Sequence, residues 1–308
     1  MVEARVSLGR LSGAEAPEGE APFACASLLP LVGEPFELPA DDAFVHGEGD
    51  AEHGYLDGAR RAWEEHPYYM DFLDEDAPVH DLKILERDLY LHHWRPWWDR
   101  ATRVLDVGCG VGRFALPLLE RGATVWGVDP DLESLRHLVW RSAGRPGNLD
   151  VHWASADTLP DVEVDVALAV EVLCYVPDAV RSLKGIASRV RSGGAVLMSL
   201  EGRWGWATAP DAGAGTIEAA LDGDGIVHEP GQGWVQTYTE ARVRALCEEA
   251  GLECVLLERT HYLTDGPLEQ AGPEAASLDE VLALEVRCRT HPVWRRLNRI
   301  WTVVARVP

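Results

Sequence analysis

The run Val104-Leu105-Asp106-Val107-Gly108-Cys109-Gly110-Val111-Gly112-Arg113-Phe114 constrains this chain more than any other stretch. Val104, Leu105 and Val107 suit a buried strand with one acid in it. Gly108, Gly110 and Gly112 follow at every second position, where the missing Cβ lets the backbone take unusual angles and lets a ligand come close. A helix begins next, and its first N–H groups point back at the loop, which suits polar or anionic ligand groups. A strand, a glycine turn and a helix in that order open a parallel α/β unit. Two nucleotide readings fail on the residues. The dinucleotide fingerprint wants a third glycine three residues after the second, where Arg113 stands. The Gly-Lys-Ser/Thr of a phosphate loop is absent.

Downstream, strands alternate with helices, the signature of a parallel sheet. Strands are predicted at 102–107, 124–128, 151–154, 164–170 and 195–200, with late strands at 254–259 and 300–305. Helices are predicted at 112–121, 131–143, 178–190 and 240–250, and one near 277–288. Asp178 and Thr239 are the N-cap candidates, with Gly251 as a stop. Asp129 ends the second strand, 21 residues after Gly108. A carboxylate there sits beside the glycine loop, at the crevice of the sheet, where it accepts hydrogen bonds from ribose hydroxyls. It could also cap the following helix, a task for which Asp131 is the alternative. Residues 202–237, rich in glycine, read as an inserted loop, and 264–298 as a second insertion.

The first hundred residues read differently. Residues 1–40 form an arm with little regular structure beyond a candidate hairpin, docked on its own domain or on a second copy of the chain. Residues 41–100 read as a helical cap, with Leu82, Leu85, Leu89 and His92 sharing one helix face. The cluster Tyr68, Tyr69 and Phe72 lies just upstream of the glycine loop and serves either packing or a ligand pocket. Acids outnumber bases 51 to 28, for a net charge of −23, which argues against nucleic-acid and anionic membrane partners. The six cysteines show no paired spacing, so no zinc or redox motif is expected and reduced thiols are. The first residues lack a signal-peptide pattern, and no window approaches the ~20 apolar residues of a membrane span. A soluble, cytoplasmic protein is the expectation.

Several motifs fall in order along 101–260. The acid-x-Gly-x-Gly-x-Gly loop comes first, then Asp129, then Ser155-Ala156-Asp157-Thr158-Leu159-Pro160. Glu171-Val172-Leu173-Cys174-Tyr175-Val176-Pro177-Asp178 follows, and then Arg189 to Leu197 and Thr239 to Leu252. Together they resemble class I S-adenosylmethionine (SAM) dependent methyltransferases of the small-molecule type. The resemblance implies a Rossmann-like α/β fold. Its sheet would be mostly parallel and seven-stranded, with helices on both faces and an N-terminal helical cap. It implies SAM as cofactor, held by Asp106, Gly108, Cys109, Gly110, Gly112, Asp129, Pro130, Ser155, Ala156, Asp157 and Glu171. Two departures matter. The acid of the family's adenine segment falls on Ser155, with Asp157 two residues later. The usual histidine pair of the fourth motif is replaced by Cys174-Tyr175, which removes a histidine base and any Glu-His metal site.

Methyl transfer from a sulfonium needs alignment above all, and alignment can contribute ~7–11 kcal/mol. Candidates on the acceptor side are Tyr68, Tyr69, Glu171, Tyr175 and Glu201, with His228 and His261 as the histidines to test. Trp204, Trp206 and Trp234 could add aromatic walls. The expected acceptor is a small apolar or aromatic molecule, such as a secondary metabolite. The alternatives are another transferase on the same fold and a non-catalytic subunit that keeps SAM.

Overall fold

The computed structural model describes residues 5–7, 26–27, 72–77, 79–208, 213–221, 225–229, 233–264 and 277–308. Tyr68 and Tyr69 lie outside the described residues. Strands are β1 (Arg5–Ser7), β2 (Ala26–Ser27), β3 (Arg103–Val107), β4 (Thr124–Asp129), β5 (Asn148–Trp153), β6 (Val164–Ala169), β7 (Val190–Gly202), β8 (Ile226–Glu229), β9 (Gly233–Tyr238), β10 (Glu253–Thr260) and β11 (Ile300–Arg306). Helices among the described residues are α1 (His80–Trp98), α2 (Ala115–Glu120), α3 (Leu132–Ser142), α4 (Ala179–Ala187), α5 (Arg203–Ala207), α6 (Ala214–Leu221), α7 (Glu240–Glu249) and α8 (Leu278–Thr290).

The sheet runs β10-β11-β7-β6-β3-β4-β5-β1-β2. Strands β5, β4, β3, β6 and β7 are parallel, whereas β11 is antiparallel to both of its neighbours. The seven strands from β10 to β5 are the expected sheet, and β1 extends it by pairing parallel with β5, with β2 antiparallel beyond it. From β3 the chain steps outward to β4 and β5, then returns to the other side of β3 for β6. That reversal opens a crevice at the carboxyl ends of β3 and β6, where open α/β sheets bind ligands.

Both faces of the sheet are covered, which is why its central strands are apolar on both sides. Val104, Val125 and Leu168 join one core with Leu118, Leu135 and Trp94, from α2, α3 and α1. Leu105, Ala167 and Val196 join the other with Leu183, Ile186 and Leu246, from α4 and α7. Side-chain caps start the helices where the sequence placed them: Asp178 accepts from the Arg181 N–H at 2.9 Å, and Thr239 from that of Arg242 at 3.3 Å.

Helix α1 buries Tyr90, Trp94 and Trp98 along one stripe, where the first two stack with ring centroids 5.0 Å apart and pack with Phe114. His92 is exposed, contrary to expectation, because the packed stripe continues through the tryptophans instead. In the insertion at 202–237, the described residues form α5, α6 and the β8–β9 hairpin, elements its glycines did not suggest. Strand β7 outruns β6, and its last residues, Glu201 and Gly202, pair with Thr237 and Tyr238 of β9. The β8–β9 hairpin is thereby fixed over the loop after β6, where the Gln236 N–H donates to the Cys174 carbonyl at 2.7 Å.

Candidate active site

A cavity of about 240 Å³ opens at the sheet's crevice. The loop after β3 forms its floor, the end of β4 and the turn after β5 form one side, and the loop after β6 the other. Helix α1 closes it with Lys83, and Phe72 lies just before that helix.

Three N–H groups of the glycine loop are turned to the neighbouring strand β4. Gly108 and Cys109 both donate to the Val128 carbonyl, at 2.7 and 3.1 Å, and Gly110 donates to Asp129 Oδ2 at 2.7 Å. Those three donors are not offered to a phosphate. Gly110 takes φ +50°, and a Cβ there would meet nothing within 4 Å, so the space above it is open. Gly112 serves packing instead, since a Cβ would come within 2.7 Å of Leu138 and 2.8 Å of Leu116. It is not on the cavity wall, and neither is Asp106.

Asp106 lies beneath the loop, 2% exposed. Its Oδ2 has no hydrogen-bond partner among the described residues. Burial, with Asp129 adding to it, pushes its pKa up to about 7. Asp129 does line the cavity. Its two oxygens accept the Gly110 and Asp131 N–H groups, at 2.7 and 2.8 Å. Each oxygen retains a further lone pair for a donor in the cavity. Burial and then Asp131 raise the Asp129 pKa to about 7, against those two hydrogen bonds. The helix cap is Asp131, which accepts the Ser134 N–H at 2.8 Å, so Asp129 is not used as one.

After β5, Ser155 and Ala156 reach the wall. Asp157 does not: it accepts from Ser182 at 2.7 Å and faces Arg181 at 3.6 Å, both on α4. After β6, Glu171 and Tyr175 reach the wall, as do Cys109 and Pro130 lower down. Glu171 takes a left-handed φ of +58°. Its N–H donates to Ser199 Oγ at 2.8 Å, and its Oε1 accepts from Arg113 at 2.9 Å and from the Tyr90 hydroxyl at 3.2 Å. Burial would raise its pKa, but Arg113, and after it Lys83, outweigh that and hold it at about 2. Arg113 also reaches Glu86 at 3.4 Å, and Glu86 receives Lys83 at 2.9 Å.

Several candidates stand elsewhere. Glu201 is buried behind the wall, accepting from Trp206 Nε1 at 2.7 Å, with Arg299 at 3.7 Å. Its place at the end of β7 carries it under the inserted hairpin rather than to the cavity. His261 is buried with Nδ1 2.8 Å from Thr260 Oγ1 and its ring against Tyr90, so it does not face the cavity. Trp206 lies under Arg299, 3.6 Å from guanidinium carbon to ring centroid, and Trp204 is exposed; the aromatic wall is Phe72, Phe114 and Tyr175. His228 pairs in register with Trp234 in the hairpin. The sequence reading missed Arg113, Lys83, Glu86 and Tyr90. Arg113 was visible only as the residue standing where a fingerprint glycine would be.

SAM fits this site on two observations: the open space over Gly110 and the second-strand carboxylate that lines the cavity. The doubly wound sheet with this site defines the class I SAM-dependent methyltransferases. The chain belongs to the methyltransferase domain family, which it matches over residues 67–257. It is 30% identical over 139 residues to a ubiquinone biosynthesis O-methyltransferase of Aromatoleum aromaticum, covering 42% of this chain and 56% of that one. It is 34% identical over 128 residues to the corresponding protein of Idiomarina loihiensis, covering 41% and 52%. The chain thus spans about half the length of these curated relatives. The solved 1,6-didemethyltoxoflavin-N1-methyltransferase of Burkholderia thailandensis shares the fold, with a TM-score of 0.51 at 18% identity, over 89% of this chain and 93% of that one.

Proposed function

We propose that this chain transfers a methyl group from SAM to a small, largely apolar or aromatic acceptor. One observation carries the reading: a single cavity joins a cofactor side, with Gly110, Asp129 and Ser155, to an aromatic side, with Phe72, Phe114 and Tyr175. Glu171 lines the same cavity. The curated relatives, named for O-methylation in ubiquinone biosynthesis, support a small-molecule acceptor.

When bound, SAM supplies a methyl group already activated on a positively charged sulfur. Asp129 takes the ribose hydroxyls on its remaining lone pairs, and Ser155 and Ala156 bound the adenine. Glu171, kept ionised by Arg113, places negative charge beside the sulfonium. The same clamp makes Glu171 a poor proton acceptor, so its part is electrostatic. Tyr175 and Phe72 wall the acceptor and exclude water, and a few polar groups fix its pose.

A screen with methyl-labelled SAM tests this. Phenols, catechols and heteroaromatic amines are offered beside a protein extract and nucleic acid. Label is expected in one or more of the small molecules, and less of it in Tyr175→Phe and Glu171→Gln variants. Label confined to protein or nucleic acid contradicts the reading.

A further inference from the structure

Among the described residues, only two that are not glycine adopt positive φ, Glu171 and His261, both at +58°. Left-handed backbone at such residues is costly and persists where the surroundings over-determine it. Both meet one side chain, Tyr90, which is fully buried. Its hydroxyl donates to Glu171 Oε1 at 3.2 Å, and its ring lies against His261 with centroids 4.3 Å apart.

Two contacts hold Glu171 from different sides. Ser199 Oγ accepts the Glu171 N–H at 2.8 Å, and the Tyr90 hydroxyl donates to the Glu171 carboxylate at 3.2 Å. Backbone and side chain of one residue are thus held by two buried hydroxyls from separate elements, α1 and β7. Behind the tyrosine, His261 is itself fixed. Its ring nitrogens contact Thr260 Oγ1 at 2.8 Å and the Glu86 carbonyl at 3.3 Å. Glu285 on α8 accepts the N–H of the next residue, Tyr262, at 2.8 Å.

We propose that Tyr90 and Ser199 are positioning residues that hold the Glu171 carboxylate against the sulfonium of bound SAM, with the His261 ring as the stop behind Tyr90. Helix α1 is then part of the site's machinery and not merely its lid. The proposal rests on the reading that this cavity binds SAM with Glu171 at its sulfur.

SAM and S-adenosylhomocysteine differ at that sulfur, which is charged in the first and neutral in the second. Their affinity ratio, measured by calorimetry, reads the placement of Glu171 in a way that a general loss of packing does not. Tyr90→Phe keeps the ring and removes the hydroxyl. It is expected to lower the SAM preference by roughly tenfold, as for a lost hydrogen bond to a charged group, with homocysteine-form affinity held within about twofold. Ser199→Ala gives the same direction and guards against misfolding of the first variant, with circular dichroism as the check. In a Glu171→Gln background neither change has any further effect on the ratio, because both act through that carboxylate. Equal weakening of both ligands, an unchanged ratio, or full additivity on Glu171→Gln overturns the proposal. Failure of the unaltered protein to bind either ligand overturns the SAM reading itself, and the proposal with it.

Discussion

Asp129 and Asp131 are two residues apart and do different work. Asp131 is consumed by the helix behind it, whereas Asp129 keeps lone pairs aimed at the cavity. Burial raises the Asp129 pKa to about 7, so near neutrality part of the population is protonated. A ribose hydroxyl donates to the ionised form, and a proton must leave for it to bind. Affinity for 5′-methylthioadenosine, which carries the ribose but no amino-acid end, is therefore expected to rise with pH, about tenfold per unit below pH 7, and to level off above it. A profile flat from pH 5 to 8 would mean that Asp129 does not contact the ribose. The same raised pKa makes the unliganded fold bind more protons than the unfolded chain between about pH 4 and 7, so this group's contribution to stability declines as pH rises through that window.

Single elements show what local sequence can and cannot disclose. Outside the insertion at 202–237, the strands and helices between Arg103 and Thr260 overlap their predicted spans, because apolar runs, caps and glycine stops are all local signals. The β8–β9 hairpin was not legible. Its strands are short and glycine-flanked, and they are fixed by pairing with the overhang of β7 and by the Cys174 carbonyl, neither of which is near in sequence. The family resemblance left open whether Ser155 or Asp157 reaches the adenine; Ser182 and Arg181 on α4 draw Asp157 away, a competition that local sequence does not reveal. Cap chemistry offers an element-scale test. Asp131→Ala removes the acceptor for the Ser134 N–H and should cost about 0.5–2 kcal/mol, which lowers Tm by roughly 2–4 °C per kcal/mol for a domain of this size. Affinity for S-adenosylhomocysteine should stay within about threefold. Loss of binding with unchanged Tm would reverse the roles assigned to Asp129 and Asp131.

At the scale of the whole molecule, the reversal of strand order beside β3 puts the cavity where it is, and its walls come from the carboxyl ends of strands and the loops after them, from Ser134 in the first turn of α3, and from the segment that includes α1. The acidic balance of the sequence takes a local form there. Glu86 and Glu171 gather around two cations, Lys83 and Arg113, with Asp106 within reach of the Arg113 charge. That cluster was beyond the sequence reading, since Glu86 and Glu171 are 85 residues apart and are joined through Arg113. Among the described residues, no helix is long and apolar enough to cross a membrane.

The central claim is that this cavity is a SAM site and not a nicotinamide one. Calorimetric titration of the protein with S-adenosylhomocysteine and, separately, with NAD tests it most directly, with Asp129→Ala as the internal control. The account predicts saturable one-to-one binding of S-adenosylhomocysteine, weakened roughly 10- to 100-fold in Asp129→Ala by the loss of charge-assisted hydrogen bonds, and no binding of NAD over the same range. Tighter binding of NAD than of S-adenosylhomocysteine, or an Asp129→Ala variant that binds as well as the unaltered protein, would contradict it.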